Sequence, residues 1–312
     1  MDFIDRIIGV YHFLSDRKPV TVPVVPPKPR VVNPWHKDGR ALVARRRVEG
    51  DLPTALTEVI SLLGTLPQII SRGDKVLVKP NFNSPDPFPA STDLELLKSV
   101  VNMLLELGAK VTIGESAGGI WRPSRKVFHK VGAYQLAREL GVELIAFEDK
   151  PTDWVRVNIN GDYLSAVTMP RSAYEADKLI YLPCMKTHSL AGFSGALKLA
   201  FGFVHPGERR AFHLSHLQEK IAEVSLCWQP DLIIMDGRKA FTSGGPDKGQ
   251  QVEPGLVLAS GDLVAIDVEA IKTLLTYGAR NKLPADPWGL AQIATALKHS
   301  LGAGGDGYIV VE

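Results

Sequence analysis

The sequence predicts an α/β fold: a mostly parallel, Rossmann-like doubly wound sheet with an inserted β-hairpin, preceded by an N-terminal helix and a proline-rich arm. From residue 41 onward, short apolar segments alternate with amphipathic helical segments, which is typical of βαβ units. An Asn-Gly pair between two alternating segments interrupts this regularity and predicts the hairpin. We therefore expect residues 1–40 to form the helix and arm, and residues 41–312 to form a single α/β domain.

The N-terminal segment predicts an amphipathic helix over the first fifteen residues, with one apolar face made by Ile4, Ile7, Ile8, Tyr11 and Leu14. Its early acidic residues argue against a secretory signal. Residues 18–34 contain six prolines, so we expect a semi-rigid arm rather than core. The apolar face predicts docking on a partner chain, on a membrane surface or on the chain's own domain. A homo-oligomer or a partner docked through this helix is the expectation that follows.

Each strand of the domain is predicted from a short apolar run, and each helix from a capping residue or a terminal glycine. Strands are expected at 41–45, 75–80, 110–114, 142–147, 178–183, 231–235, 256–259 and 308–311. Helices are expected at 51–64, 92–107, 124–140, 213–227 and 262–275, with Asp262 as the N-cap of the last. Residues 154–168 are expected to form the hairpin, with a type I′ turn at Asn160-Gly161.

Composition excludes several classes of protein. The 312 residues are 45% hydrophobic and 22% charged, which is too apolar for a disordered chain, and no apolar run is long enough for a transmembrane segment. A formal charge of +2 gives no indication of nucleic-acid binding. The two cysteines, Cys184 and Cys227, cannot ligate a four-cysteine zinc or iron–sulfur site alone. We expect a cytoplasmic protein.

Charged and polar residues follow four of the predicted strands. Because ligands bind outside the carboxyl ends of the strands of an open parallel sheet, these residues predict a site for a small anion, a carboxylate or a phosphate. The residues that we expect to bind the ligand are Lys79, Asn81, Ser116, Gly118, Gly119, Lys198, Arg209, Gly244 and Gly245. Lysine and arginine suit the anion, and the glycines allow backbone N–H groups to approach it.

Four residues are the candidates for catalysis: Lys186, His188, Glu115 and Asp236. Lys186 and His188 are two apart in an extended segment, so their side chains project to one side. A neighbouring cation lowers the pKa of a histidine and favours a neutral base or a metal ligand. Glu115 and Asp236 end apolar strands, where a carboxylate is usually paired, ligated or catalytic.

Three further interpretations concern the segment from 184 to 216. Ser194 is expected to cap a short helix that carries Lys198. His213 and His216 are three residues apart, a spacing compatible with metal binding on one helical face, which we keep as a minority alternative. Cys184 could be an activated thiolate beside Lys186, but we favour a small buried side chain. The sequence identifies no cofactor.

Several unusual strings occur in one order along the chain. They are Gly73–Asn81, Thr92-Asp93, Gly114–Gly119, Leu182–His188, Ser194–Lys198 with Phe201-Gly202, Asp236-Gly237 with Gly244–Pro246, and Ala259–Asp262 with Ala265–Asp267. This pattern, over residues 41–305, resembles the domain of unknown function 362 family. The resemblance implies an α/β domain whose activity is generally unassigned. The family is also distantly similar to the amino-terminal domain of lactate-racemase-like proteins, in which a lysine and histidines serve a nickel-pincer cofactor.

Two departures from the family pattern bear on function. Many relatives look like iron–sulfur proteins because they carry an added ferredoxin-like cysteine segment, which this chain lacks, and that argues against autonomous electron transfer. Leu199 stands where the family usually has asparagine, which puts any role of that amide in doubt.

Three hypotheses of function remain open on the sequence. The first is an enzyme that acts on a small anionic substrate by lysine and histidine proton transfer. The second is an accessory or scaffold protein of an iron–sulfur redox system, docked through the N-terminal helix. The third is a metal or cluster shared across a dimer through Cys184, Cys227 and the histidines.

Overall fold

The computed structural model describes residues 3–17, 21–149 and 154–312. Its α-helices are α1 (Phe3–Ser15), α2 (Leu52–Leu63), α3 (Leu94–Glu106), α4 (Ser124–Val131), α5 (Ala133–Leu140), α6 (Arg171–Tyr174), α7 (Ala196–Leu199), α8 (Pro206–Phe212), α9 (Leu217–Val224), α10 (Leu263–Leu275) and α11 (Ala291–Lys298). Short 3₁₀ segments lie at Leu66–Gln68, Gly119–Trp121, Phe147–Asp149, Ala200–Phe203 and Pro287–Gly289.

The strands are β1 (Val24–Val25), β2 (His36–Lys37), β3 (Arg40–Arg47), β4 (Lys75–Pro80), β5 (Lys110–Glu115), β6 (Glu143–Ala146), β7 (Trp154–Asn158), β8 (Ala166–Pro170), β9 (Lys178–Leu182), β10 (Cys184–His188), β11 (Gly192–Ser194), β12 (Leu232–Gly244), β13 (Gly249–Val252), β14 (Leu256–Ser260) and β15 (Tyr308–Val311). All the strands expected from the sequence are present. The strand expected at 231–235 is much longer, because β12 runs on through Asp236 to Gly244.

A large mixed sheet organises the chain, in the order β15-β3-β14-β12-β9-β4-β5-β6. The strands from β12 to β6 are all parallel to their neighbours. β14 is antiparallel to both β12 and β3, and β15 is parallel to β3. The fold is therefore mixed α/β with a mostly parallel sheet. The chain order of the strands reverses between β4 and β9, and a crevice for ligands forms at such a point.

Helices cover both faces of the sheet. On one face, α2, α3, α4 and α5 pack on Val76 and Val78 of β4 and on the equivalent positions of its neighbours. On the other face, α7, α9, α10 and α11 pack on the alternate positions, which include Leu77. Because side chains alternate along a strand, Lys79 follows Leu77 onto this second face at the carboxyl end of β4.

Two of the expected helices are interrupted. The helix expected at 124–140 divides into α4 and α5 at Gly132, which has a φ of +83°, a left-handed conformation that ends a helix. The helix expected at 213–227 is replaced by α8 and α9, with His216 at a φ of +52° as the N-cap of α9. His213 and His216 therefore do not share a helical face, and the expectation of a metal pair on that face is wrong.

The hairpin is present, but its turn is not type I′. β7 and β8 pair antiparallel, from Trp154 opposite Pro170 to Asn158 opposite Ala166. Neither Asn160 nor Gly161 has the positive φ that a type I′ turn needs. A buried carboxylate from α9 shapes the loop instead, because Glu223 accepts hydrogen bonds from the backbone N–H groups of residues 162, 163 and 164.

The N-terminal helix lies on its own chain, against Gly119–Trp121. The contact uses the face that carries Gly9, where a Cβ would meet the Ile120 backbone. Three residues of the expected apolar face are exposed, Ile7, Tyr11 and Leu14 at 54%, 68% and 63%, whereas Ile8 is half-buried. Whether this face meets a partner or a second copy stays a prediction. None of the helices among the described residues is both long and apolar enough to span a bilayer.

The proline-rich segment is described from residue 21, and the part of the expectation that falls on residues 18–20 lies outside the described residues. Val24 and Val25 form β1, which pairs parallel with β7 in a small sheet with β8. Just beyond the arm, Trp35 is 2% exposed and donates a hydrogen bond from Nε1 to Gln68.

Candidate functional site

A cavity of about 510 Å³ lies beyond the carboxyl ends of β4 and β5 and beside β10. Its volume suits a small organic ligand. Twelve of the residues discussed for the sequence line it: Lys79, Asn81, Glu115, Ser116, Gly118, Gly119, Lys186, His188, Ser194, Lys198, Arg209 and His213. The sheet topology therefore brings together residues that are more than 130 positions apart in the sequence.

A buried ion pair forms the floor of the cavity. The Nζ atom of Lys79 lies 2.5 Å from Oε1 of Glu115, and the two side chains are 1% and 3% exposed. Glu115 also accepts hydrogen bonds from the backbone N–H groups of Phe82 and Ser116. Burial lowers the pKa of Lys79, and Glu115 opposes that effect. Because Glu115 already has three donors, it is a poor candidate for the catalytic base that the sequence predicts.

The loop after β5 presents a hydroxyl to the cavity. Ser116 is 3% exposed, and its Oγ has no hydrogen-bond partner. The neighbouring Gly118 has a φ of −72°, so it is not there for a left-handed turn. A Cβ at this position would lie 2.2 Å from Oδ1 of Asn83. Gly118 therefore allows the close approach of Asn83, and the Ser116 hydroxyl beside it has no hydrogen-bond partner.

Strand β10 supplies Lys186 and His188 from the same face, as the two-residue spacing predicts. The Nζ atom of Lys186 is fully buried and donates to the carbonyl oxygen of Ala90. Burial lowers the pKa of Lys186. Among the described residues no carboxylate forms an ion pair with this ammonium, but the charges of Asp247, Asp86 and Glu115 act on it from farther away and oppose the effect of burial.

The tautomer of His188 follows from its neighbours. Its Nδ1 accepts hydrogen bonds from the backbone N–H groups of Leu190 and Ala191, each at 3.1 Å. Nδ1 therefore carries no hydrogen, and Nε2 carries the N–H. Burial, together with Lys198 and Lys186, lowers the pKa of His188 to about 2. His188 is thus a neutral hydrogen-bond donor at Nε2, rather than the base that the sequence suggests.

His213 has the opposite tautomer. Its Nδ1 lies 2.8 Å from the carbonyl oxygen of Arg209, which can only accept, so Nδ1 carries the hydrogen and Nε2 carries a lone pair. Burial lowers the pKa of this histidine, which keeps the lone pair available at neutral pH. The rim of the cavity therefore holds one imidazole donor, His188, and one imidazole acceptor, His213.

The short helix α7 holds Lys198 in place. Its N-terminus is capped by Asp267 of α10, whose carboxylate accepts from the backbone N–H groups of Ala196 and Leu197 at 2.6 and 3.0 Å. The cap expected at Ser194 is therefore wrong. Gly195 is required because a Cβ there would lie 2.1 Å from Oδ1 of Asp267. Asp262 is the N-cap of α10, as expected.

Replacing Asp267 by asparagine is expected to lower the free energy of unfolding by about 1–3 kcal/mol. The amide would point a donor at one of the two buried N–H groups, which then loses its acceptor. Burial raises the pKa of Asp267 to about 7, so urea denaturation is best measured at about pH 6, where the wild-type group is mostly protonated and the neutral amide gains nothing by removing a buried charge. Asp306→Asn, on the surface, is the control and should leave the unfolding free energy nearly unchanged.

The amine of Lys198 differs from those of Lys79 and Lys186 in its bonding. Among the described residues, its Nζ has no hydrogen bond and no ion pair, and it lies 4.4 Å from the centroid of the Phe201 ring. Burial, followed by the charges of Arg209, Lys186 and Lys79, lowers its pKa to about 7. A large fraction of this amine is therefore neutral at physiological pH.

Arg209 is buried and donates four hydrogen bonds to backbone carbonyls. Its Nε donates to Val204, Nη1 to Ser116 and Ala117, and Nη2 to Gly202. It therefore ties the loop after β5 to the segment after α7, instead of presenting a free fork to a ligand. Its charge still raises the positive potential of the cavity.

Four predicted residues do not reach the cavity: Asp236, Gly244, Gly245 and His216. Asp236 is buried and bonded to Arg238, at 2.9 Å between Oδ2 and Nη2. Gly244 and Gly245 adopt positive φ values, and a Cβ on Gly245 would lie 2.0 Å from the carbonyl oxygen of Thr187. These glycines let the loop approach β10, and no ligand contact is needed to explain them. The ring of His216 stacks on Tyr163 instead.

Asn83, Trp121 and Asp247 are among the cavity residues that the sequence-based set lacks. They are joined to one another, because Oδ1 of Asp247 accepts from Asn83 at 3.1 Å and Oδ2 accepts from Nε1 of Trp121 at 3.0 Å. Asp247 directly follows the Gly-Gly-Pro string, and that string was the available signal. Asp247 forms no close ion pair among the described residues, but its charge acts on Lys186 of the same cavity.

Comparisons with known proteins agree with the sequence pattern. A family profile described as "Domain of unknown function (DUF362)" matches residues 76–272. The chain belongs to this family. The "Thylakoid-associated protein sll1697" of Synechocystis sp. is 28% identical to it over 267 residues, which is 80% of each chain. Among solved structures, the lactate racemase apoprotein from Thermoanaerobacterium thermosaccharolyticum has a TM-score of 0.42 and 12% identity, and the match covers 77% of this chain and 58% of that chain.

The cysteines of this DUF362 chain do not suit a cluster. Cys184 and Cys227 are 1% and 0% exposed, so neither thiol is at a surface where a second chain could share a metal. Burial raises the pKa of Cys184 to about 11 and raises that of Cys227 as well, which disfavours the thiolate that binds metals. Cys184 is the small buried side chain that we favoured.

One group of metal-ligand residues does occur in the described part of the DUF362 chain, away from the cavity. It comprises Asp162, Glu223 and His299. Glu223 is already engaged by the backbone of the hairpin loop, and the Nζ of Lys298 lies 2.6 Å from Oδ2 of Asp162. A cation is therefore already present at this group, and the group gives no support to a metal centre.

Proposed function

We propose that this DUF362 protein is an enzyme whose cavity binds a small carboxylate or phosphate anion and moves a proton on the bound molecule. The observation that carries the proposal is the charge of the cavity. Within the described residues, Lys186, Lys198 and Arg209 line it and have no carboxylate partner. Buried charges are usually paired. Carboxylates act on these three groups only from beyond ion-pair distance, so an anionic ligand beside them is favoured.

The donors that remain free support the binding of an anion. Ser116 offers a hydroxyl without a partner, His188 offers Nε2–H, and the ammonium of Lys186 has hydrogens beyond the one that it donates to Ala90. Charge-assisted hydrogen bonds of this kind are about twice as strong as neutral ones. Asn81 and Lys79 also line the cavity, but Lys79 is committed to Glu115.

The proton acceptors differ from those that the sequence suggests. His213 at Nε2 and Lys198 in its neutral form each offer a nitrogen lone pair. Glu115 has its oxygens occupied, and Asp236 is bonded to Arg238 outside the cavity. Catalytic bases work best with a pKa near the working pH, and the amine of Lys198 meets that condition. His188 is placed to donate a hydrogen bond to an oxygen that gains negative charge.

Titration calorimetry with inorganic phosphate and with pyruvate tests the proposal. The wild-type protein should bind at least one of them, and Ser116→Ala or Lys186→Met should weaken binding by about tenfold or more, the value of one hydrogen bond to a charged group. Lys75→Met is the matched control, because it removes a lysine from the opposite, exposed end of the same sheet. Circular dichroism confirms that each variant is folded.

Two outcomes would count against the proposal. One is a folded wild-type protein that binds neither anion. The other is an equal effect of Lys186→Met and Lys75→Met, which would place the anion outside the cavity.

A further inference from the structure

The backbone that carries Lys198 is held in place, whereas the amine of its side chain forms no hydrogen bond and no ion pair among the described residues. The backbone of α7 is fixed by Asp267, and the Phe201 ring lies against the ammonium end of the chain. No donor or acceptor among the described residues occupies Nζ. A lysine that only balanced charge or supported the fold would be paired, as Lys79 is with Glu115. The contrast between these two lysines of one cavity indicates a different use for Lys198.

The surroundings of Lys198 favour a nucleophile. Cations crowd it, and nearby positive charge together with burial is the arrangement that makes a lysine amine reactive. With a pKa of about 7, about half of the amine is neutral at pH 7, whereas an ordinary lysine of pKa 10.5 has about one neutral molecule in three thousand. The nucleophilic form of Lys198 is thus about a thousandfold more populated than that of a surface lysine.

We infer that Lys198 forms an imine with the carbonyl group of a small substrate that also bears a carboxylate or phosphate, such as a 2-oxo acid. The inference rests on the proposed function, because Ser116, Lys186 and His188 must hold the anionic group while the carbonyl meets Nζ. The bond that forms is the C=N bond of the imine. The proton is then transferred by His213, since an amine bound in an imine cannot act as the base.

The step balances without an oxidant or a reductant. The lone pair on Nζ of Lys198 attacks the carbonyl carbon, and the C=O electron pair moves to oxygen, which is protonated to give a carbinolamine. The nitrogen loses a proton, the oxygen leaves as water after a second protonation, and the C=N bond forms. His188 can donate a hydrogen bond to the oxygen while it carries charge, and His213 can accept a proton at Nε2 from nitrogen or from the carbon next to the imine.

Borohydride trapping tests the inference on the full-length protein. The protein is incubated with pyruvate at pH 7, reduced with sodium borohydride, digested and mapped by mass spectrometry. Reduction turns an imine into a stable secondary amine, so the lysine that reacted keeps the added mass. We expect labelling of Lys198 to exceed that of any other lysine by about tenfold or more, given its neutral fraction, and to fall when excess phosphate is present.

Two measurements separate the two claims. Phosphate binding is measured on the wild type in the calorimeter, and Lys198→Arg, which cannot form an imine, should show no site-specific adduct. Phosphate binding without any adduct at Lys198 of the wild type would overturn the imine and leave the anion site standing. Adducts spread evenly over the lysines would also overturn it. A wild type that binds neither phosphate nor pyruvate would overturn the proposed function itself.

Discussion

Replacing Lys79 by methionine is expected to lower the free energy of unfolding by about 3–5 kcal/mol, the usual cost of removing one partner of a buried ion pair. The reason is that a buried carboxylate at the floor of the cavity loses its counter-charge. Glu115 is 3% exposed and loses the ammonium that lies 2.5 Å from its Oε1. The N–H groups of Phe82 and Ser116 still bind the carboxylate, but they carry no full positive charge.

Urea denaturation of Lys79→Met and Lys75→Met checks this expectation. Both changes remove a lysine from β4, but Lys75 is exposed at the other end of the strand, and its loss should change the unfolding free energy by no more than about 0.5 kcal/mol. Similar small losses in the two variants would show that the Lys79–Glu115 pair is unimportant for stability.

Replacing Lys198 by methionine is expected to change how stability depends on pH. The pKa of Lys198 is about 7 in the folded chain, against an ordinary 10.5. Between these two values the unfolded chain holds a proton that the folded chain has released, so this group makes the unfolding free energy rise with pH across that window. The contribution is at most about 1.4 kcal/mol per pH unit. Below pH 7 both states are protonated and the cost of burying the charge is full.

The measurement compares wild type and Lys198→Met by urea denaturation at about pH 7 and about pH 9.5. The advantage of the methionine variant should be largest at the lower pH and should shrink at the higher one, because the wild-type amine is then neutral in the fold. Titrating groups far from Lys198 affect both proteins alike and cancel in the difference. Parallel pH profiles for the two proteins would show that Lys198 keeps an ordinary pKa.

Much of the site could be predicted from the sequence because the rule for parallel sheets is geometric. Lys79, Glu115 and Lys186 belong to or directly follow recognisable apolar strands, and the carboxyl ends of those strands must meet at one edge. The apolar runs also predicted the sheet itself. The antiparallel insertion of β14 between β12 and β3 was not predicted, because an apolar run does not reveal the direction of a strand.

The roles of the site residues were harder to predict than their position. The roles of three residues follow from hydrogen bonds to backbone groups that come close only when the chain folds. These residues are Glu115, Arg209 and His188. The cap of α7 comes from Asp267, which is 71 residues away from Ala196, so the local Ser194 was the wrong choice. Asp236 ends an apolar segment as a catalytic carboxylate would, but Arg238, two residues later, turns back onto it.

The cytoplasmic location expected from the sequence stays a prediction, and one relative of the chain is described as thylakoid-associated. The exposed face formed by Ile7, Tyr11 and Leu14 is the feature on which docking through α1 would depend.

The pKa of the Lys198 amine, measured by NMR with and without phosphate, tests the central claim most directly. Lysines are labelled with ¹⁵N and ¹³C, and Lys198→Arg identifies the resonance. The amine should titrate near pH 7 in the free protein, because burial and the nearby charges of Arg209, Lys186 and Lys79 disfavour its protonated form, and its pKa should rise when phosphate binds beside it. A pKa close to the ordinary 10.5 that is unchanged by phosphate would contradict an anion site in this cavity.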